Sequence, residues 1–333
     1  MLILHAPNIH QGGGRTLLIA LIGAMAAPAR LHLDERMRPI PDLPEGVEVV
    51  RFAPTLSGRI KAERVLQDRT RPGDRVLCLG NLPPLLRLRV RASVFVQNRY
   101  LVDRTGLADL PLKTRLRLLA ERLWLRTRHA DCDIIVQSET MARQIERSLG
   151  RVARVVPLLP MPTRAAAVAS GVADFIYVAS GEAHKNHTVL IEAWERLARQ
   201  GITPSLDLTI DAGSRPDLAG RLQAAAAAGA RIRCLGGLDP DEVAGLYQSA
   251  KALIYPSLFE SFGLPLLEAK QAGLPVLAPE RDYVRDVIEP DITFDPTSER
   301  SIARAVRRFL GVPDAPAEPL DPAAFLAALE LPR

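Results

Sequence analysis

Residues 252–279 read ALIYPSLFESFGLPLLEAKQAGLPVLAP. Two short apolar runs, 252–257 and 275–279, enclose a helical pattern at 264–272, so the stretch is a strand, a helix and a second strand. Pro265 suits the first turn of that helix, where its missing N–H costs nothing. Gly263 allows close backbone approach, and the amides near Phe262, Gly263 and Leu264 are free to seat an anion. Strands joined through a helix run parallel, and near-continuous apolar strands belong to a sheet covered on both faces.

The same alternation extends in both directions. In the first half, strands are expected at 2–5, 47–52, 75–80, 93–97, 133–137 and 153–157, with helices at 15–26, 59–69, 113–129 and 139–149. In the second half, strands at 175–180, 205–210, 231–236, 252–257, 275–279 and 292–294 alternate with helices at 187–200, 215–228, 240–249, 264–272 and 298–310. The fold class is therefore α/β, with two doubly wound Rossmann-like domains in series whose C-terminal strand edges share a central cleft. The expected boundaries are 1–158 for the first domain, 159–171 for a Pro- and Ala-rich linker, and 172–310 for the second domain. A tail at 311–333, with five prolines, should pack back on the body.

A chain of 333 residues is too long for one ordinary core. Its 47% hydrophobic and 24% charged residues are those of a globular protein. Cys78, Cys132 and Cys234 have no metal-ligand spacing and read as thiols in a reducing compartment, so the expected location is the cytoplasm. No apolar run is long enough to span a bilayer. The nearest, 17–29, ends in AAPA like a cleavage site, but Met1 to Pro7 is apolar where a signal peptide should be basic. Residues 16–26 read better as a buried helix. Residues 1–165 hold 27 Lys+Arg against 15 Asp+Glu, whereas the remainder is net acidic. The basic half should meet an anionic surface. A GC-rich genome would explain arginine over lysine but not the contrast between halves.

Three stretches carry chemistry. NIHQGGGRT (8–16) follows the first strand and opens a helix, where Gly13 and Gly14 let backbone amides approach phosphate or sugar oxygens. A plain tight turn reads these residues equally well. ASGEAHKNHTVLIEAW (179–194) places Lys185 in a turn just before a helix, which Asn186 or Thr188 can cap. A lysine there opposes the macrodipole, which makes sense if an anion sits beside it. His184 and His187 lack a metal-ligand partner and read as polar turn residues. In the third stretch, Glu260 precedes the anion seat and Glu268 lies about one turn inside the helix, too far away to be a carboxylate couple. Carboxylates bind hydroxyls well, and hydroxyls on either side of a diphosphate describe a nucleotide sugar. In isolation, the pair reads as a capping carboxylate plus a surface glutamate.

PSLFESFGLPLLEAKQAGLPV resembles the Glu-x7-Glu signature of retaining GT-B glycosyltransferases, group 1 or family 4-like. The likeness extends to HKN with its helix, RIRCLGGLDPDEVAGLYQSAKALIYPS and ITFDPTSERSIARAV. In the first half, VFVQNRYL and DIIVQSETM resemble variants from bacterial surface-polysaccharide assembly. The resemblance implies that Glu260 lies beside the donor sugar, Glu268 binds ribose hydroxyls and Lys185 meets the diphosphate. It also implies that Ser261, Phe262, Gly263 and Leu264 line sugar and phosphate, that Gly236 and Gly237 pass near the base, and that Gly13 and Gly14 close the cleft.

Two departures stand out. The family's arginine about six residues before the lysine is Ala179 here, so one cation is missing or supplied from elsewhere, Arg15 and Arg99 being the candidates. The family's histidine near the sugar is replaced by Gln97 and Asn98, which makes Asn98 an acceptor-side candidate able to bind a hydroxyl but not to act as a base.

The implied function is transfer of mannose or a related hexose from a nucleotide diphosphate sugar to a glycan or lipid-linked acceptor, with retention. No Asp-x-Asp with flanking ligands occurs, so neither a metal nor a cofactor is expected, and nucleic acid is not expected as a partner. A catalytically silent partner subunit is the rival reading from another class, and an epimerase or a pyridoxal-bearing phosphorylase shares the architecture. Finally, on a helix at 113–129, Leu112, Leu116, Leu119, Ala120 and Leu123 share one face, expected to pack on the sheet. Leu118 and Leu125 point nearly opposite among arginines. They are expected either to dock on an anionic, peripheral membrane surface or to lie under neighbouring loops.

Overall fold

The computed structural model describes residues 1–312 apart from 27, 41–42, 109, 160–172, 212 and 214, together with 321–322. The expected linker at 159–171 lies outside the described residues except for Leu159, and so does most of the expected tail at 311–333.

The first sheet has seven strands: β1 (Leu2–Ala6), β2 (Ala29–Asp34), β3 (Val47–Phe52), β4 (Arg75–Cys78), β5 (Ala92–Phe95), β6 (Cys132–Val136) and β7 (Arg154–Val155). Their order is β3-β2-β1-β4-β5-β6-β7, with every pair parallel. Helices α1 (Gly12–Gly23), α2 (Leu56–Arg69), α3 (Leu112–Arg128) and α4 (Glu139–Leu149) connect them. The second sheet has six: β8 (Phe175–Tyr177), β9 (Ser205–Leu208), β10 (Arg231–Cys234), β11 (Ala252–Ile254), β12 (Val276–Pro279) and β13 (Ile292–Phe294). Their order is β10-β9-β8-β11-β12-β13, again all parallel. Its helices are α5 (His187–Arg199), α6 (Pro216–Ala227), α7 (Pro240–Ser249), α8 (Leu264–Gln271), α9 (Asp282–Arg285) and α10 (Glu299–Phe309).

Each strand order reverses beside the first strand of its own half, between β1 and β4 and between β8 and β11. At such a point, successive loops part to opposite sides and leave a crevice at the C-terminal strand edges. The crevice receives residues 8–16 from β1, Lys185 from β8 and Glu260 from β11, so the alternation alone sets these segments at sheet edges. Burial follows the pattern: β8, β11 and β12 are fully buried and pack with Trp194, Leu197 and Leu266 of the flanking helices. Leu17, Leu18 and Ile22 bury α1 on one face of the first sheet, as the buried-helix reading required.

Five expectations are corrected. β2 was not anticipated, because ARLHLD interrupts its apolar run with His32 and Asp34, both of which are buried. The short α9 was also not anticipated. Asn186 does stand at the N-cap of α5, but in the left-handed region (φ 61°) and without capping it. Its amide instead donates to Pro256 O at 3.2 Å and Pro296 O at 2.7 Å, tying β8's loop to those after β11 and β13. His187 is not a polar turn residue: it is buried, with Nε2 2.9 Å from Ser180 O and its ring against Tyr177.

The largest correction concerns α3: the face expected on the sheet is exposed, and of the two alternatives given for Leu118 and Leu125 the structure shows cover by neighbouring loop residues. Leu118 and Leu125 are the buried residues, packed with Leu82 and Leu101, while Leu112, Leu116, Leu119 and Leu123 are exposed. The reason is what α3 packs against. Its neighbour is the segment 98–108, whose backbone carbonyls need donors. Arg122 supplies them, with Nε donating to Tyr100 O at 2.7 Å and a second nitrogen to Asp103 O. Arg128 likewise donates to Leu85 O at 2.8 Å. An unpaired carbonyl under the helix costs more than an exposed leucine, so the face bearing Leu118, Arg122 and Leu125 turns inward.

Candidate active site between the two sheets

Lys185 stands at the end of the turn that follows β8, just before α5, and Glu260 stands in the loop between β11 and α8. Because β8 and β11 are neighbours, residues 75 apart in sequence meet: Lys185 Nζ lies 2.7 Å from Glu260 Oε1. The same oxygen accepts from Tyr255 Oη at 2.9 Å and Ser257 Oγ at 2.6 Å. Three donors thus converge on Oε1, and Oε2 has no hydrogen-bond partner among the described residues. The carboxylate is held rigidly by one oxygen, leaving the other to receive a hydroxyl.

Electrostatics follow from that geometry. Burial pushes the Glu260 carboxyl up, but Lys185, His184 and the Ser257 hydroxyl outweigh it and hold its pKa below the ordinary 4.5. Glu260 is therefore an anion at neutral pH. The supporting shell is aromatic. Tyr177 Oη donates to Lys185 O at 2.7 Å, and Tyr283 Oη donates to Ser257 O at 2.7 Å. Sequence reasoning had missed Tyr177, Tyr255, Ser257 and Tyr283, which read there only as strand and loop residues. The available signal was tyrosines at the ends of expected buried strands, where each hydroxyl needs a partner.

The start of α8 has the backbone the sequence leads one to expect. Gly263 has φ +86° at the N-cap of α8, with no side-chain cap. The amides of Phe262, Gly263 and Leu264 make no hydrogen bond among the described residues. Glu268 sits on α8 away from the Lys185–Glu260 contact and accepts from Tyr247 Oη at 2.9 Å. Burial raises its pKa, outweighing the tyrosine bond.

The first domain approaches at several points. A Cβ on Gly13 would stand 3.3 Å from Leu264 Cδ1, so α1's start comes close to α8 and a side chain there would need the leucine to shift. Gly14 faces Ile9 and the Gln97 side chain. Ser138 Oγ donates to Ser261 O at 3.0 Å, and Thr140 N–H donates to Asp286 Oδ2 at 2.6 Å. Gly236 (φ +80°) and Gly237 border open space beyond β10, two strands from β8. Asn98 is engaged structurally: its Oδ1 caps Tyr100 N at 3.1 Å, and its own N–H donates to Asn81 Oδ1.

Of the two arginines considered in place of Ala179, Arg99 is the one in contact with the Glu260 loop. Its guanidinium lies 5.0 Å from the Phe259 ring centroid and 3.5 Å from Glu260 O, while Nε donates to Asp103 at 2.8 Å. Arg15 Nε is buried and makes no hydrogen bond. A third arginine, Arg215 before α6, donates to Gly181 O in the same loop as Ala179, and sequence reasoning had overlooked it. Tyr100, His184 and Phe259 form an aromatic cluster beside Glu260, with His184 stacked on Phe259 at 4.7 Å. A cavity of about 650 Å³ opens along this cluster, and its walls include Arg99, Arg143 and Arg281 but neither Lys185 nor Glu260. Among the described residues, no group of three His, Cys, Asp or Glu side chains is placed to hold a metal ion.

Comparison with known proteins points in the same direction as the motif. Residues 164–319 match the family model described as "Glycosyl transferases group 1". The serotype-specific mannosyltransferase WbdA of Escherichia coli is 30% identical over 169 residues, 49% of this chain and 21% of that protein. The chain spans about a fifth of this relative's length. Among solved structures, HepE of Anabaena in complex with UDP-glucose superposes with a TM-score of 0.69 at 15% identity, covering 93% of this chain and 90% of that one. WaaG, a glycosyltransferase involved in lipopolysaccharide biosynthesis, gives 0.67 at 17% with the same coverage. Residues 164–319 are thus similar to the group 1 glycosyl transferases, and the chain shares the GT-B architecture of these solved structures.

Proposed function

We propose that the protein transfers a sugar, mannose or a related hexose, from a nucleotide diphosphate sugar to a glycan or lipid-linked acceptor in surface-polysaccharide synthesis, with retention and without a metal. The observation that carries this reading is the Lys185–Glu260 contact at the β8/β11 switch point, beside the free amides of α8. The ammonium and the helix N-terminus supply positive charge for a departing diphosphate, and Glu260 Oε2 accepts from the donor sugar's hydroxyls. The bond from the sugar's anomeric carbon to the phosphate oxygen breaks as the acceptor oxygen bonds on the same face, and the acceptor's proton passes to that phosphate oxygen. The residues position and stabilise; none acts as nucleophile. Glu268, supported by Tyr247, binds the ribose. Mannose is favoured by the mannosyltransferase relatives, and a nucleotide sugar by the UDP-glucose complex of HepE.

The test is a thermal-shift screen of nucleotide sugars on the purified chain, followed by nucleoside diphosphate release with and without EDTA. One donor should raise the melting temperature, and turnover should survive the chelator. Absence of any stabilising nucleotide sugar would overturn the reading, and a strict divalent requirement would overturn its metal-free part. The Ala179 and Asn98 departures motivate one rival, a partner subunit that binds without catalysis. Stabilisation by a donor with no hydrolysis or transfer would favour that rival.

A further inference from the structure

The cavity of about 650 Å³ beside the Glu260 loop is lined by none of Lys185, Glu260 and Glu268, yet by four arginines. Arg99, Arg143 and Arg147 come from the first domain and Arg281 from the second. Arg143 and Arg147 stand one turn apart on α4, and Arg281 immediately precedes α9. The Thr140–Asp286 hydrogen bond of 2.6 Å ties the start of α4 to the end of α9. Two acids share the wall, Glu280 and Asp282, and both are engaged. Arg285 donates to the two oxygens of Glu280 at 2.7 and 2.6 Å, and Arg143 lies 3.3 Å from Asp282. Arg99 is met by Asp103 at 2.8 Å. Arg147 and Arg281 make no hydrogen bond or ion pair among the described residues. Guanidinium groups gathered round one concavity repel one another, and its walls focus their field on whatever enters. An anion relieves that repulsion.

The remainder of the wall suits a sugar. The rings of Tyr100 and Phe259 stand edge to face at 5.5 Å, with the Thr105 hydroxyl and the Gln144 amide around them. Ring faces take the C–H side of a pyranose, and such polar groups take its hydroxyls. The volume lies within the range of about 300–1,000 Å³ that small-molecule sites occupy. His184 and Phe259 belong to the wall and directly precede Lys185 and Glu260, so a sugar here lies next to the reacting centre without filling the donor's place. The donor's diphosphate has its own cations in Lys185 and the start of α8. The charge that this cavity awaits is therefore a second one, carried by the other substrate.

We propose that the cavity binds an acceptor sugar bearing an oxyanion, a phosphate ester or a carboxylate, held between Arg147 of the first domain and Arg281 of the second. Guanidinium forks match both anions. That the anionic sugar is an acceptor rests on the proposed function; its binding does not.

The experiment is isothermal titration calorimetry of the full chain, without donor and at low salt, against mannose 6-phosphate, glucuronate and mannose. At least one charged sugar should bind about tenfold or more tightly than mannose and weaken as salt rises, and which one does so tells phosphate from carboxylate. Arg147→Gln with Arg281→Gln should weaken that binding about tenfold or more, which places the anion in this cavity rather than at Lys185. The melting temperature and the shift induced by a nucleotide sugar should be unchanged, since neither arginine has a partner among the described residues. Arg147→Lys with Arg281→Lys keeps the charge, should retain part of the binding, and stands as the second variant if the first misfolds. The proposal is overturned if neither charged sugar binds better than mannose, or if the glutamine pair binds like the wild type. Loss of the nucleotide-sugar shift in the glutamine pair would also overturn it, by moving the arginines to the donor. If no nucleotide sugar stabilises the chain, the proposed function fails while preferential binding of a charged sugar still stands. If one does and both charged sugars fail, this inference alone falls.

Discussion

At the residue scale, the site turns on one carboxylate oxygen with three donors. Replacing Lys185 or Glu260 by alanine should cut transfer by about 10²–10³-fold, the usual cost of losing one preorganised charged contact to the transition state. Steady-state kinetics checks this, and near-normal turnover in either variant would remove the residue from the site. Glu268→Ala should instead raise KM for the donor more than it lowers kcat, because ribose contacts are similar in ground and transition states. Ser257 gives a pH prediction. Its 2.6 Å bond helps hold Glu260 ionised against burial, so the acid limb of kcat/KM lies below pH 4.5 in the wild type. Ser257→Ala removes a stabiliser of the anion and should move that limb to higher pH, with kcat at neutral pH little changed. An unmoved limb would mean that Glu260's ionisation is not what the profile reports. The motif made Glu260, Glu268 and Lys185 legible as residues, whereas Tyr177 of β8, Tyr247 of α7 and Tyr283 of α9 reach the site from separate elements, and Tyr255 and Ser257, close to Glu260 in the chain, read only as strand and loop residues.

At the element scale, α8 and α3 make opposite points. α8 begins where Pro265 and Gly263 say it should, since proline at the first turn and a left-handed glycine before it are local requirements. Gly263→Ala should destabilise the protein by about 1–2 kcal/mol through the left-handed backbone alone. The added methyl would also stand 3.0 Å from Leu266 Cδ1. A urea melt measures the loss, and donor affinity should fall with it. For α3, amphipathicity identifies two faces but not which is inside. Leu118→Ala or Leu125→Ala should cost about 2–5 kcal/mol, whereas Leu116→Ala or Leu119→Ala should cost under about 0.5 kcal/mol. Chemical denaturation of the four variants distinguishes the two orientations, and equal losses would contradict the orientation described.

At the scale of the molecule, the first sheet holds a buried polar cluster away from the cleft. His5 Nδ1 lies 3.0 Å from His32 Nδ1, and Glu63 lies 3.5 Å from His5 and 2.7 Å from Arg59. Burial holds His32 down to about 3 from its ordinary 6.5, and burial also lowers His5. Both are neutral in the folded state, while the unfolded chain takes up protons below pH 6.5. Their contribution to stability is therefore present above 6.5 and is lost as pH falls toward about 3. Between pH 7 and pH 5, His32 alone should remove about 2 kcal/mol. Urea midpoints at the two pH values should show this in the wild type and a flatter dependence in His32→Gln. An equally steep variant would place the sensitivity elsewhere.

The sequence by itself determined the alternation of strands and helices, the parallel α/β class and the identities of Glu260, Glu268, Lys185 and Gly263. These rest on local physics: apolar period, proline and glycine backbone limits, and a motif contiguous in the chain. Only the tertiary structure decided the meeting of Lys185 with Glu260, the capture of Asn186 and His187 by the core, the approach of Gly13 to Leu264 and the orientation of α3. The approach of Gly13 to Leu264 depends on how two distant helix starts meet, and the others on which polar groups of a distant segment need a partner; both are set by strand order rather than by the residues on either side in sequence.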